Sequence, residues 1–303
     1  MKKFIIYMTS GFHFECGGVV VQYELANILN NLGVDISIIT PNNIHNSICN
    51  NFYDGTPIDI DNTFVIYGET IEGNPLNAKY IIRWILAPLG IFADTNIVKT
   101  WGKNDIIYYF NSETKFINEP NKVIYNVYKL LNIVYINPLA QNNNIGGRKG
   151  YCYTFRKSHI HKNLELVHPR NSLEITRYHT QLECINIFNQ HTYFISYDPL
   201  TLLYIISALC GCIPIIPKVN NMSKNEWLNT TVATEYFKET GTNSLYGIAY
   251  GIEELEFAKN TIHLVKQQWT EIRECMINKN IKSFLKDMEN YKYLINNVEN
   301  NYY

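Results

Sequence analysis

The chain has 303 residues, 46% hydrophobic and 17% charged, with 26 Lys+Arg against 27 Asp+Glu for a formal net charge of -1. These figures exclude an intrinsically disordered chain and a broad basic field of the kind that grips nucleic acid by its phosphates. The length fits about two domains that bury enough surface to need no covalent or metal staple. The seven cysteines are scattered without a CxxC pair, so they read as reduced, buried thiols.

The first third alternates strand and helix. Residues 4–8 form an apolar run too short for the core of a secretory signal, and His13 and Glu15 follow it closely. Gly17 and Gly18 open a helical pattern in which Val20, Val21, Leu25, Ile28, Leu29 and Leu32 recur near i, i+3, i+4 spacing, and Gly33 stops it. Residues 35–40, 63–67, 80–86 and 106–110 read as strands, and 133–136 closes the series. The polar, glycine-rich stretch 141–150 reads as a linker. Alternation then restarts with a strand at 151–155, a helix at 178–188, a strand at 192–196, a helix at 200–209 and a strand at 213–216. From Ile252 the pattern is helical almost to the end, broken around 278–280. The most apolar stretch, 201–216, is shorter than a membrane span and is interrupted by Gly211 and Pro214. Strand–helix alternation predicts an α/β fold with parallel sheets covered on both faces. The expectation is a soluble, cytoplasmic protein with a first domain at 1–145, a second at 146–280 and a terminal helix at 281–303. That helix either crosses back to the first domain or drives a homodimer.

Three stretches carry chemistry. The turn at 9–18 (TSGFHFECGG) places Gly17 and Gly18 at a helix start, where unpaired N–H groups bind anions and glycine lets a phosphate approach. A tight turn that needs glycine would explain the same pair. The GxGxxG fingerprint is absent, which argues against a nicotinamide dehydrogenase. The second stretch is Tyr153-Thr-Phe-Arg156-Lys157, at the end of the first strand of the second half. Two adjacent cations there suit a diphosphate, Arg156 as a fork and Lys157 as a point charge, unless they are solvated surface residues. The third is a strand, a polar junction and a buried helix, with Ser196, Tyr197, Asp198 and Thr201 at the junction. Ligands of α/β sheets sit at such junctions, and a plain helix cap is the alternative for Asp198 or Thr201.

Taken in order, these pieces resemble a glycosyltransferase of the GT-B type, similar to the family 4-like group. The matching residues are the glycine pair, Arg156-Lys157 and the block SYDPLT…ALCGCIPII. They are joined by Val65–Glu69 (VIYGE), Gly73–Lys79 (GNPLNAK), Arg83-Trp84 and Tyr246–Gly251 (YGIAYG). The resemblance implies two Rossmann-like domains and a nucleotide-diphosphate sugar as co-substrate, with no other cofactor and no metal. It implies a glycan, lipid-linked or protein acceptor and no nucleic-acid partner. Gly17 and Gly18 would approach the donor phosphates, and Arg156 and Lys157 would neutralise the leaving diphosphate. Asp198 would contact the donor sugar as the first acid of the family's E-x7-E pair. The second acid is missing, since position 206 is Ile206. Glu69, His13 and Glu15 are the candidate bases for an inverting reaction. Asp59-Ile60-Asp61 has the D-x-D spacing of metal-dependent transferases but reads as a loop, because it precedes an apolar strand and follows a turn-rich stretch. Two other readings remain: a nucleotide-sugar 2-epimerase, and a sugar-nucleotide-binding protein without turnover.

Overall fold

Strands form where apolar runs are long enough to be buried on both faces. The computed structural model, an α/β protein, describes residues 3–111, 114, 128–144, 146–156, 164–218 and 222–291. It divides into two Rossmann-like units, Met1–Tyr135 with Cys275–Tyr303, and Ile136–Glu274.

The first unit holds six parallel strands: β1 (Lys3–Tyr7), β2 (Ile36–Ile39), β3 (Thr63–Gly68), β4 (Tyr80–Ile85), β5 (Ile106–Tyr109) and β6 (Tyr128–Leu130), in the order β2-β1-β3-β4-β5-β6. Every residue of β3 and β4 is buried. One of them is Arg83, whose charge must be met inside the protein. Its Nε donates to Asp105 at 2.8 Å and its Nη1 to the Ile71 carbonyl at 3.1 Å, while Tyr67 and Trp101 cover the guanidinium. Helix α1 (Gly17–Asn31) packs Val20, Leu25 and Leu29 into the core. Gly33 ends it at φ +79°, a left-handed conformation that favours glycine.

The strand expected at 133–136 is corrected. The sixth strand is β6, paired with β5 from Tyr128 to Leu130, and residues 131–137 carry none. Leu131, Ile133 and Val134 are nonetheless buried; their apolarity fills the core without a ladder.

The second unit has five parallel strands: β7 (Tyr151–Thr154), β8 (Leu173–Glu174), β9 (Tyr193–Ser196), β10 (Ile213–Ile216) and β11 (Ala249–Tyr250), in the order β11-β10-β9-β7-β8. Helix α2 (Gln181–Gln190) starts later than the expected 178, because Thr180 and Glu183 form a capping box. Helix α3 (Leu203–Leu209) is buried over Leu203–Ala208. The stretch 141–150 is fastened to this unit: Arg148 donates to Asn142 and to the Cys210 carbonyl. Helices α4 (Lys224–Thr230), α5 (Thr234–Thr240) and α6 (Leu255–Thr261) complete the layers.

Helix α7 (Val265–Met276) continues through a π turn at Ile277–Ile281 into α8 (Lys282–Glu289). The π turn is the break expected around 278–280, and within it Asn280 is buried and donates to Asn132. Helix α8 packs on the first sheet, with the Phe284 ring 5.8 Å from Phe4 and 5.3 Å from Tyr108. Asp287 accepts from the Tyr108 hydroxyl at 2.8 Å and from Lys129 at 2.5 Å.

Candidate functional site

Both sheets share one topology: counted along the chain, the first strand lies between the second and the third. The chain leaves the first strand to one side and returns on the other. That reversal opens a crevice at the carboxyl ends of the first and third strands, where ligands of open α/β sheets bind. The strands concerned are β1 and β3 in the first unit, β7 and β9 in the second.

In the first unit, the turn after β1 carries His13 and Glu15, which lie 3.8 Å apart with side chains 47% and 35% exposed. Cys16 is the N-cap of α1 and makes no side-chain cap, so the first-turn N–H groups have no side-chain acceptor from that residue. Neither Gly17 nor Gly18 has a positive φ. A Cβ at Gly18 would sit 3.7 Å from Leu86, an ordinary contact. Backbone conformation and packing therefore do not demand glycine at 18. Glu69 directly follows β3 and is buried. It accepts from the Leu86 N–H at 3.0 Å, just past the end of β4. Burial pushes its carboxyl above the usual range, and the Leu86 and Ala87 N–H groups act in the opposite sense.

In the second unit, the last residues of β7 and β9, Thr154 and Ser196, are opposite each other in register. Two residues beyond them stand Arg156 and Asp198. Arg156 has φ +32°, an uncommon conformation for a side chain of this size, and its Nε is buried without a hydrogen-bond partner. Lys157 lies outside the described residues. Asp198 is fully buried. Its Oδ1 accepts from the Leu200 N–H at 3.1 Å, and its Oδ2 has no partner.

The other polar residues of this junction hold the turn. Ser196 donates to the Asp198 carbonyl at 2.8 Å, and Thr201 Oγ1 accepts from the Leu203 N–H at 3.3 Å. The Tyr197 hydroxyl accepts from the N–H groups of Val167 at 2.8 Å and His168 at 3.2 Å, and His168 Nδ1 lies 2.8 Å away. Of the four, Asp198 alone presents an open atom. Ile206 is buried in the apolar helix α3, so no carboxylate stands where a second acid is expected.

Sequence reasoning missed Lys218, which lies two residues past the end of β10, as Asp198 lies two past the end of β9. It pairs with Glu253 at 2.7 Å on the wall of a cavity of about 330 Å3 that Lys224, Tyr250 and Glu254 also line. Its signal, a cation just after an apolar strand, becomes legible only when the strand order is known. Asp59 and Asp61 lie in the turn before β3; Asp59 accepts from the Asp61 N–H at 3.2 Å and Asp61 pairs with Lys79 at 2.7 Å. Among the described residues no cluster of three or more His, Cys, Asp or Glu is placed to hold a metal ion.

No known family model and no curated protein sequence matches the chain. Among solved structures it is similar to T4 phage BGT in complex with UDP and Mn2+, with a TM-score of 0.48, 11% identity and coverage of 92% of this chain and 99% of that one. It is also similar to an alpha-glucosyltransferase in complex with UDP and a 13-mer DNA, with a TM-score of 0.46, 11% identity and coverage of 94% and 99%. A third is the sucrose-phosphate synthase of Thermosynechococcus elongatus, with a TM-score of 0.46, 10% identity and coverage of 100% and 98%. All three TM-scores lie below 0.5, and no chemistry of this chain follows from them.

Proposed function

We propose that the chain is a glycosyltransferase of the GT-B type that moves a sugar from a nucleotide-diphosphate sugar to an acceptor. One observation carries this reading: the Arg156 Nε and the Asp198 Oδ2 are buried and unpartnered, each two residues past one of the paired strand ends Thr154 and Ser196 at the switch point of the second sheet. A buried polar atom left without a partner costs about 1–3 kcal/mol. A ligand that offers an anion to the guanidinium and a hydroxyl to the carboxylate removes both costs. A nucleotide-diphosphate sugar is such a ligand.

In this reading the second unit holds the donor. Arg156, with Lys157, meets the charge that grows on the diphosphate as its bond to the anomeric carbon breaks. Asp198 accepts from a sugar hydroxyl, while Ser196, Tyr197 and Thr201 keep its turn in shape. The first unit serves the acceptor, a glycan, lipid or protein. The acceptor hydroxyl attacks the anomeric carbon and passes its proton to Glu69, whose raised affinity for protons suits a general base. His13 and Glu15, which are more exposed, are the alternatives. The open N–H groups at Gly17 and Gly18 offer further anion contacts. Because cations and N–H groups meet the leaving charge, the reaction proceeds without a metal.

The test incubates the purified chain with a panel of nucleotide sugars, with and without acceptors, duplex DNA among them, and follows nucleoside diphosphate release by chromatography. Release accompanied by sugar on an acceptor supports transfer. An epimer formed without acceptor replaces transfer by epimerisation. Ile206 favours one second reading, a sugar-nucleotide-binding protein without turnover: binding by calorimetry with no product from any donor would establish it, and robust turnover removes it.

A further inference from the structure

Four rings pack together at the carboxyl ends of β7 and β9: Tyr153, Phe155, Tyr197 and His168, the last from the segment ahead of β8. The Phe155 ring stacks on Tyr197, with centroids 5.1 Å apart and planes 21° from parallel. The His168 imidazole stacks on Tyr153 at 3.8 Å and 10°, and meets Tyr197 and Phe155 edge-on at 5.6 and 6.1 Å. Phe155 immediately precedes Arg156, and Tyr197 immediately precedes Asp198. Each of these two rings thus belongs to the residue just before one of the two orphaned side chains. The backbone joins the same turns, since the Tyr197 N–H donates to the Thr154 carbonyl at 3.0 Å.

The Tyr197 hydroxyl gives this cluster a direction. Tyr197 is fully buried, so each of its polar bonds matters. Its oxygen accepts from the Val167 N–H at 2.8 Å and the His168 N–H at 3.2 Å. Burial pushes the hydroxyl above its usual pKa range, against the pull of those two N–H groups, so the proton stays on the oxygen. Among the described residues His168 Nδ1, at 2.8 Å, is the partner that remains for that proton. Nδ1 is then the acceptor, and the imidazole carries its own N–H on Nε2. A side chain without an acceptor at this place would leave a buried O–H unpaired, one residue from Asp198.

We propose that His168 is a positioning residue for the donor turn: its Nδ1 takes the Tyr197 proton and thereby fixes the backbone that presents Asp198 to the sugar. It acts through Tyr197, without touching the substrate. The role rests on the donor reading above; the tautomer stands apart from it.

Two variants separate the acceptor from the ring. His168→Phe keeps a ring against Tyr153 and loses the acceptor. His168→Asn loses the ring and keeps an acceptor, because its Oδ1 hangs from the γ carbon as Nδ1 does. Calorimetry on the full chain uses UDP-glucose against UDP and GDP-mannose against GDP, and the better-bound pair is followed. His168→Phe should weaken the nucleotide sugar by about fivefold or more, the loss of one hydrogen bond, and leave the nucleoside diphosphate within about twofold. A general loosening of the fold would weaken both. His168→Asn should restore the nucleotide sugar to within about twofold of wild type. If His168→Phe binds the nucleotide sugar as wild type does, or if His168→Asn binds as weakly as His168→Phe, the positioning role is refuted while the donor reading stands. If wild type binds none of the four probes, both fall. Nitrogen-15 NMR of the histidine-labelled wild type at neutral pH, with the His168 signals assigned by their loss in His168→Asn, reads the tautomer without any ligand. A proton on Nε2 and none on Nδ1 is expected, and a protonated Nδ1 would overturn the inference.

Discussion

Asp198→Asn gives the sharpest test of the site, because stability and activity should move in opposite directions. Asp198 is fully buried; one carboxylate oxygen is taken by the Leu200 N–H and the other has no partner. Leaving such an atom unsatisfied costs about 1–3 kcal/mol. Asparagine keeps the Oδ1 that accepts from Leu200, so the turn survives, and it removes the buried acid. The amide nitrogen that replaces Oδ2 is itself without a partner, so the ligand-free variant gains only from the removal of a buried charge, under about 1 kcal/mol, a rise of up to about 4 °C in Tm for units of this size. Turnover of the donor should fall by about 10²-fold or more, as when a charge-positioning contact is lost. A saturating nucleotide sugar should then raise the Tm of the wild type more than that of the variant, since only the wild type offers the sugar a carboxylate. Differential scanning calorimetry with and without donor, beside a product assay, reads all three. A Tm below that of the wild type would show that the carboxylate stabilises the fold, and with it the argument from orphaned atoms would fail.

Glu69→Gln tests the base. Burial raises the folded-state pKa of Glu69 above its unfolded value, so the protonated side chain favours folding at low pH and this contribution is lost as pH rises through the folded-state value. The glutamine variant should therefore melt higher than wild type near neutral pH, and the gap should close toward the ordinary carboxyl value of 4.5; a gap that ignores pH would contradict the assignment. Arg156→Ala should cut turnover by about 10²–10³-fold with the fold intact, and a chelator such as EDTA should leave the wild-type rate unchanged; a rate abolished by EDTA and restored by a divalent ion would overturn the metal-independent reading. Phe284→Ala empties a fully buried ring site between Phe4 and Tyr108 and should cost about 3–5 kcal/mol in denaturant unfolding; a loss under about 1 kcal/mol would mean that α8 contributes little to the first unit.

What could be read from the chain, and what could not, follows from the range of the forces involved. Strands such as β3 and β4 were legible because burial on both faces writes itself as a continuous apolar run. Where apolarity and hydrogen bonding part company, as at residues 131–137, the same signal misplaced a strand. The start of α2 was readable and passed over: Thr180 and Glu183 have the capping-box spacing, a purely local device. Arg156 and Asp198 were found because each sits beside its own motif. That both follow the ends of neighbouring strands depends on the strand order. That is a property of β7 lying between β8 and β9, and the periodicity of the individual segments does not encode it. Ser196, Tyr197 and Thr201 show the converse. Their polarity at a strand–helix junction was visible, yet hydroxyls bonded to local backbone and hydroxyls open to a ligand have the same letters. Only their hydrogen bonds separate them, and these leave Asp198 as the member of that junction whose chemistry is unspent.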